Sequence, residues 1–409
     1  MSRKVSIVGA GQSGLQLGLG LVKKGYDVTI YSNRTPEQIK YGKVMSSQCM
    51  FDMALENERE LGINYWEDTC PPVEGLGVTV PNPEKPGEKL FTFAGKLEKN
   101  AYAVDQRIKM PFWMEKFEEL GGKIIIKDVD ENDLEDITAQ SDLTILAAGK
   151  GSIVQMFERD ADKSMYDKPM RALALTYVKG MTPNKPFSKV AFNLIPGVGE
   201  YFVFPSETIN GPCEIMVLEG IVGGPMDCWQ DIKTPEEHLA KSLEILKTYL
   251  PWEYERCQNV ELTDDNGILS GRFAPTVRKP VATLPSGRKV FGIADVVVVN
   301  DPITGQGSNN ASKCTKIYYD SILERGDQPF DEAWMNDTFN EYWENVKDVA
   351  LWTNTLLGPP PPHILKFLGA AAGSQKLADL FANNFNDPRQ FFPWWLDPAK
   401  TDELIAENV

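Results

Sequence analysis

Hydrophobic and polar positions follow three rhythms along this chain. An apolar run at 5–8 leads into glycines, then into Leu15, Leu19 and Val22 at helical spacing, then into a second apolar run at 28–31. A short continuous apolar run predicts a buried strand, and spacing near 3.6 predicts an amphipathic helix. Gly25 closes that helix, so the start reads strand, turn, helix, strand. The same logic predicts helices at 52–61 and 103–121 and strands at 123–127, 142–148 and 288–294, with a further helix running to about 325. Pro111 marks a kink or a start within the second of those helices. A second rhythm occupies 71–101, where Pro71, Pro72, Pro81, Pro83 and Pro86 separate two strand-like runs, GLGVTV and KLFTFAG, joined as a hairpin. It returns at 171–179, 189–194, 200–204 and 214–221, short strands with turn residues between them, interrupted later by one clear helix at 235–250. The third rhythm begins beyond Pro329. It is helical and aromatic, with Trp334, Phe339, Tyr342, Trp343 and Trp352, and is broken at 359–362 by four prolines.

These rhythms predict an α/β chain. A discontinuous domain is assembled from 1–70, 102–170 and 271–328. A mainly antiparallel β domain from 71–101 and 171–270 is inserted into it, and 329–409 forms a helical C-terminal region.

The opening turn carries chemistry. Gly9, Gly11 and Gly14 have the spacing G-x-G-x-x-G, with Gln12 and Ser13 between them at the helix start. One glycine permits the tight turn, the second lets backbone approach a pyrophosphate, and the third lets helix and strand pack closely. The positive end of the helix then faces the phosphates. An acid usually follows the second strand to hold a ribose. Here Ser32, Asn33 and Arg34 stand instead, offering hydrogen bonds to the ribose and a cation for phosphate or adenine. A strand ending at Gly149 would bring a second turn close to the same cofactor.

Composition narrows the chemistry. Apolar residues make up 42 % of the chain, which suits a real core, and a formal charge of −16 argues against nucleic acid or an anionic membrane as partner. No apolar run is long enough to span a membrane and the start does not resemble a secretion signal, so a cytoplasmic location is expected. Cys49, Cys70, Cys213, Cys228, Cys257 and Cys314 form no C-x-x-C pair and read as reduced thiols. His238 and His363 are the only histidines, so neither a metal site nor a Ser-His-Asp triad is expected, and a cofactor is left to carry the hard chemistry. Phe192 and its aromatic neighbours in the inserted sheet suit a small aromatic or apolar ligand.

A second motif names that cofactor. GIADVVVVNDPITGQGSN at 292–309 resembles the second FAD signature of flavoprotein monooxygenases, matching at Asp295, Pro302, Gly305, Gln306, Gly307 and Asn309, with Ser308 inside the run. By that resemblance Asp295 would accept hydrogen bonds from the ribityl chain, Pro302 would border the flavin ring, and the turn at 305–307 would face its pyrimidine edge. The fold implied is a Rossmann-like FAD-binding domain of the para-hydroxybenzoate-hydroxylase type. Self-reducing hydroxylases of this superfamily carry Asp-Gly after the strand at 142–148. This chain has Ala-Ala-Gly-Lys-Gly, which counts against its reducing its own flavin.

The glycine start, the AVDQR run at 103–107 with Gln106, the Ala-Gly-Lys run at 148–150, DPITGQG and NFNDPRQF at 384–391 together resemble the oxygenase component of two-component styrene and indole monooxygenases, essentially end to end. Ser46, Gln48 and Met50 match the indole-oxidising branch, and strict alternation would turn all three toward the flavin as catalytic or substrate contacts. The resemblance implies reduced FAD supplied in trans by an NADH-dependent flavin reductase, O₂ as co-substrate, and a C4a-hydroperoxide that epoxidises the C2=C3 bond of indole or a styrene-like olefin. It leaves a homodimer open. A styrene monooxygenase oxygenase component, a single-component NAD(P)H-dependent aromatic hydroxylase and a non-enzymatic flavin-fold carrier are the alternatives.

Overall fold

The structure is a computed structural model that describes residues 2–149 and 151–409. Lys150, which closes the Ala-Gly-Lys run, lies outside the described residues. The chain opens with β1 (Lys4–Val8), α1 (Gln12–Lys23) and β2 (Asp27–Ser32), then α2 (Pro36–Lys40) and α3 (Asp52–Glu60). A long hairpin follows, β3 (Pro72–Pro81) and β4 (Lys89–Tyr102). After it come α4 (Gln106–Glu119), β5 (Lys123–Ile126), α5 (Glu131–Ala139) and β6 (Leu143–Leu146). The next strands are β7 (Arg171–Lys179), β8 (Lys189–Ile195), β9 (Gly199–Thr208) and β10 (Gly211–Ile221), backed by α6 (Pro235–Tyr249) and α7 (Pro251–Arg256). Six short strands follow: β11 (Glu261–Leu262), β12 (Ile268–Gly271), β13 (Thr276–Val277), β14 (Val281–Thr283), β15 (Lys289–Gly292) and β16 (Val298–Val299). The chain closes with α8 (Gly307–Arg325), α9 (Glu332–Leu356), α10 (Pro362–Ala371), α11 (Gln375–Asn383) and α12 (Pro398–Asn408).

The cofactor-type sheet has six strands in the order β14-β15-β6-β1-β2-β5, parallel except for the β14–β15 hairpin. The chain leaves β1 toward β2 on one side and reaches β6 on the other, so the carboxyl end of β1 is a topological switch point. Val8 pairs with Leu146, and Leu146 with Gly292. That register puts the turns after β1, β6 and β15 side by side. Leu15, Leu17, Leu19 and Leu21 of α1 bury against Ile7, Ile30 and Phe117, which commits this helix to the sheet.

The second sheet has eight strands in the order β11-β7-β10-β9-β8-β3-β4, with β12 also on β7, and is antiparallel except where β3 meets β8. Alternation gives it two faces. Ala174, Val178, Val203, Met216 and Leu218 lie under Ile245, Leu246 and Leu250 of the backing helices. The other face carries Leu175, Phe192, Phe202 and Phe204, and Trp352, Phe381, Phe391 and Trp395 of the C-terminal region join the same core. No helix among the described residues is long and apolar enough to cross a membrane.

Three local expectations change. The helix expected from 103 begins at Gln106, because Ala103 and Asp105 are drawn into backbone pairing with Glu207 at the end of β9. Asp105 then caps the helix, accepting from Arg107 N–H at 2.8 Å, and Pro111 lies inside rather than at its start. Helix α5, capped by Asp130, was not signalled by the apolar pattern. Asp295 does not end a strand; it sits in a 3-10 turn, Ala294–Val296, entered through Ala294 at φ 53°.

Candidate flavin and substrate site

The first glycine turn is held by backbone packing. Gly9 has φ +120°, and a Cβ there would stand 2.7 Å from the backbone of Ala147 and Ala148 at the end of β6. A Cβ on Gly14 would stand 2.0 Å from the Gly9 carbonyl oxygen. Gly11 differs, since a Cβ there would meet nothing within 4 Å. Gly11 caps α1 without a side-chain hydrogen bond, so the first-turn N–H groups beside it are uncapped by any side chain, as an anion site needs.

The side chains called for this end are used differently. Gln12 donates from Nε2 to Gln16 at 3.0 Å and to Glu58 at 2.8 Å, and Lys109 donates to the same Glu58 oxygen at 2.5 Å. This buried group joins α1, α3 and α4. Ser13 is buried in the first turn. The Ser32 hydroxyl donates to Arg34 O at 2.7 Å and accepts from Arg34 N–H, so it closes its own turn, while Asn33 is exposed and Arg34 half-buried.

The second loop is held by side chains from far away. Asp301 accepts from Ile303 N–H at 3.1 Å, a 3-10 turn covers Pro302–Thr304, and Gly305 takes the left-handed conformation at φ 64° before α8. Thr304 shares a hydrogen bond with Thr353 at 2.8 Å, and Gln306 donates to Phe385 O at 3.0 Å. Asn309 is fully buried. Its Oδ1 accepts from Phe51 N–H at 2.8 Å, and its Nδ2 donates to Cys49 O at 2.9 Å and Gly305 O at 3.2 Å. Asn309 and Gln306 thus brace the loop, and neither side chain lines the adjoining cavity.

A cavity of about 650 Å³ joins this loop to the second sheet. Gly149, Arg278 and Asp295 form its polar end, and a Cβ on Gly149 would lie 2.7 Å from that of Asp295. Asn300, Pro302, Gly305, Gly307 and Ser308 also line it. Leu173, Leu175, Phe192, Phe202, Phe204 and Val217 make an apolar far wall, where Phe192 and Phe202 stack at 4.4 Å. Met45 and Phe273 line the cavity and are each 37 % exposed, which places an opening there. Such a volume with few polar groups suits a flat ring and a small ligand. Three polar atoms on residues of this lining, Gln48 Oε1, Asn300 Nδ2 and Ser308 Oγ, are buried without a protein partner. With the switch-point turns and the Gly305 turn, the donor set fits an FAD.

The 46–50 segment departs from alternation. It is not a strand; Met50 alone forms a bridge, with Tyr102. Of the three called residues only Gln48 lines the cavity, beside Met45, Ser47 and Cys49. Ser46 accepts from Gln106 Nε2 at 2.8 Å, so those two called residues satisfy each other. Met50 is 1 % exposed and packs on Ala54 and Leu55, with Lys109 Nζ at 3.3 Å from its sulfur. The segment is placed by Arg107, which grips Asp105 and Asp264. The turn after Asp264 accepts Val44 N–H at 3.0 Å and donates from Asn266 to Tyr41 O at 3.0 Å. Burial pushes the Cys49 thiol up to about 12, so it is no nucleophile.

Sequence reasoning missed Arg278 and Asn300, whereas the aromatic neighbours of Phe192 expected at a ligand pocket, Phe202 and Phe204, do line the cavity. Asn300 lies inside the 292–309 run but is not one of its matched positions, and Arg278 carried no signal at all. Arg278 donates to Val296 O at 3.1 Å; burial lowers its pKa, opposed by Asp295.

Residues 149–256 match the family model described as "Styrene monooxygenase A putative substrate binding domain". Over 409 residues the chain is 31 % identical to styrene monooxygenase StyA of Pseudomonas fluorescens, covering 98 % of this chain and 97 % of that one. The chain belongs to the styrene monooxygenase StyA family. A second StyA, from Pseudomonas sp, is 30 % identical over 416 residues, covering 100 % of this chain and 98 % of the relative. As a member of the StyA family the protein is an FAD-dependent monooxygenase. The fold also matches the flavin-dependent brominase Bmp2, with a TM-score of 0.64 at 15 % identity, over 100 % of this chain and 99 % of that one. That likeness is one of architecture: a Rossmann-like sheet, an inserted sheet and a helical C-terminal region.

Proposed function

We propose that the protein epoxidises the C2=C3 bond of indole, and styrene-like olefins more slowly, using reduced FAD from a separate NADH-dependent flavin reductase and O₂. Bound reduced FAD with O₂ supplies an electrophilic oxygen; one atom enters the double bond and the other leaves as water. The protein's share is to seat the flavin, keep water out and hold the olefin. The switch-point turns at Gly9–Gly14 and Gly149–Asp295 hold the dinucleotide, with Arg34 at its outer end. The turn from Pro302 to Ser308 borders the ring. The segments 71–101 and 171–270 supply the apolar wall that excludes water and lies along the substrate ring.

The observation that carries the indole reading is Gln48. Its Nε2 donates to Val104 O at 2.6 Å, which orients the amide. The opposite atom, Oε1, is buried without a partner on a residue that lines the cavity. An acceptor left over on a residue of this largely apolar lining matches an N–H, which indole has and styrene lacks. An unpaired buried acceptor costs about 1–3 kcal/mol, so it also disfavours a ligand without a donor.

The test is turnover with chemically reduced FAD, O₂ and indole, with styrene in competition. Indoxyl or blue pigment above the protein-free control is expected. Hydrogen peroxide alone, with indole untouched, refutes the substrate. Sustained NADH oxidation by the isolated chain refutes the separate reductase. Gln48→Leu should lower indole kcat/KM by roughly tenfold to a hundredfold and spare styrene. Equal losses on both substrates would remove Gln48 from recognition.

A further inference from the structure

Three carboxyl groups and one guanidinium meet where the second sheet touches the Asp301 loop. Glu219 on β10 stands directly opposite Glu200 on β9 in the antiparallel register. It lies two residues beyond Val217, so it continues the cavity wall by one step of the pleat. Like charges directly opposite each other destabilise a sheet unless they are paired or neutralised. Glu200 is paired: Arg171 of β7 holds it through two hydrogen bonds, at 2.7 and 2.9 Å. Arg171 spends its remaining bonds on Met170 O at 3.1 Å and Leu357 O at 3.2 Å.

Glu219 has no such partner. It is 0 % exposed, and neither of its oxygens meets a donor. What it does meet is the carboxyl of Asp301, itself 2 % exposed. Two carboxylates in contact, with no donor between them, cannot both be ionised; the contact requires one proton. Asp301 already accepts the Ile303 N–H, which favours its charged form, whereas no hydrogen-bond donor stabilises a charge on Glu219. The proton therefore belongs to Glu219. Burial, then the neighbouring Asp301 and Glu200, hold its carboxyl well above the usual range, and only Arg171 opposes them.

We propose that Glu219 is a neutral positioning residue of the flavin site, donating its proton to Asp301 and so tying the cavity sheet to the turn at Pro302–Gly307. This rests on the flavin reading given above. Asp301 caps the turn that borders the ring, so the turn's geometry depends on one buried proton. The groups facing it are Arg171 on β7, Glu200 on β9 and Asp301 on the loop. With a folded-state pKa raised above the unfolded value, the tie holds at low pH and is lost as pH rises through the folded value. Beyond that point Glu219 and Asp301 repel, and the turn shifts away from the ring.

The first test needs no flavin. An infrared difference spectrum of wild type minus Glu219→Gln at neutral pH should show a protonated carboxyl C=O band that shifts in D₂O. Absence of that band overturns the shared proton, whatever the flavin does. The second test titrates FAD against both proteins across alkaline pH. Wild-type affinity should fall by roughly tenfold, while Glu219→Gln, whose amide still donates to Asp301 and has no proton to lose, should stay flat. The same alkaline loss in both proteins overturns the positioning role. Failure of wild type to bind FAD at any pH overturns the flavin reading and the positioning role together, and leaves the infrared band in place.

Discussion

The two glycine-bearing loops of the flavin site are held in opposite ways. At Gly9–Gly14 the backbone holds itself: a Cβ on Gly9 or Gly14 would meet carbonyl and amide atoms at distances no side chain allows. At Pro302–Gly307 the glycines are open, and Cβ atoms on Gly305 and Gly307 would meet nothing within 4 Å. That loop is braced by Asn309, Thr353, Phe385 O and the Glu219–Asp301 contact. A loop closed by its own backbone is rigid and tolerates no added methyl. A loop closed by distant side chains can be loosened one hydrogen bond at a time, and by pH.

The largest effect expected from this contrast is Gly14→Ala. The new Cβ lies 2.0 Å from a carbonyl oxygen, and the resulting overpacking should cost about 3 kcal/mol and abolish FAD binding. Denaturant midpoints and FAD fluorescence would check it; a wild-type midpoint would show that the turn has slack. Next is Asn309→Ala, which leaves Phe51 N–H and Cys49 O without partners and should cost about 2 kcal/mol. With the brace gone, more of the O₂ consumed should leak as hydrogen peroxide. Tight coupling in this variant would show that the second loop holds itself after all.

Gly11→Ala separates packing from binding within the first loop. Nothing lies in its way, so stability should change by less than about 0.5 kcal/mol while FAD affinity falls. Unchanged affinity would place the pyrophosphate elsewhere. The smallest effect belongs to Asn33→Glu. Asn33 is exposed, and a carboxylate there would restore the usual acid after the second strand and tighten oxidised FAD by several-fold. No change in titrated affinity would mean that the ribose is held by backbone at this end.

Much of the first sheet was legible because its information is local. The apolar runs, the glycine spacing and the helix stop at Gly25 all act within a few residues of themselves, and β1, α1 and β2 formed where those signals lie. The four strands expected over 171–221 are likewise present. The second motif was legible as residues, but the protein partners of its side chains were not. Gln306 and Asn309 read as cofactor contacts because they match the signature, yet their side chains face Phe385, Cys49 and Phe51. The 46–50 segment misled for a related reason. Alternation holds only in an extended strand, and this segment is pinned instead by Asn266, Gln106 and Asn309.

The sequence alone determined where the backbone must turn tightly, which strands are buried and which cofactor class the two loops suit, because steric limits and periodicity belong to neighbouring residues. Only the tertiary structure decided which side chains reach the cavity and which brace it, that Gln48 keeps a free acceptor, and that Glu219 needs a proton. Burial and partner choice are set by residues hundreds of positions away, 260 for Asn309 and Cys49, and no local pattern encodes them.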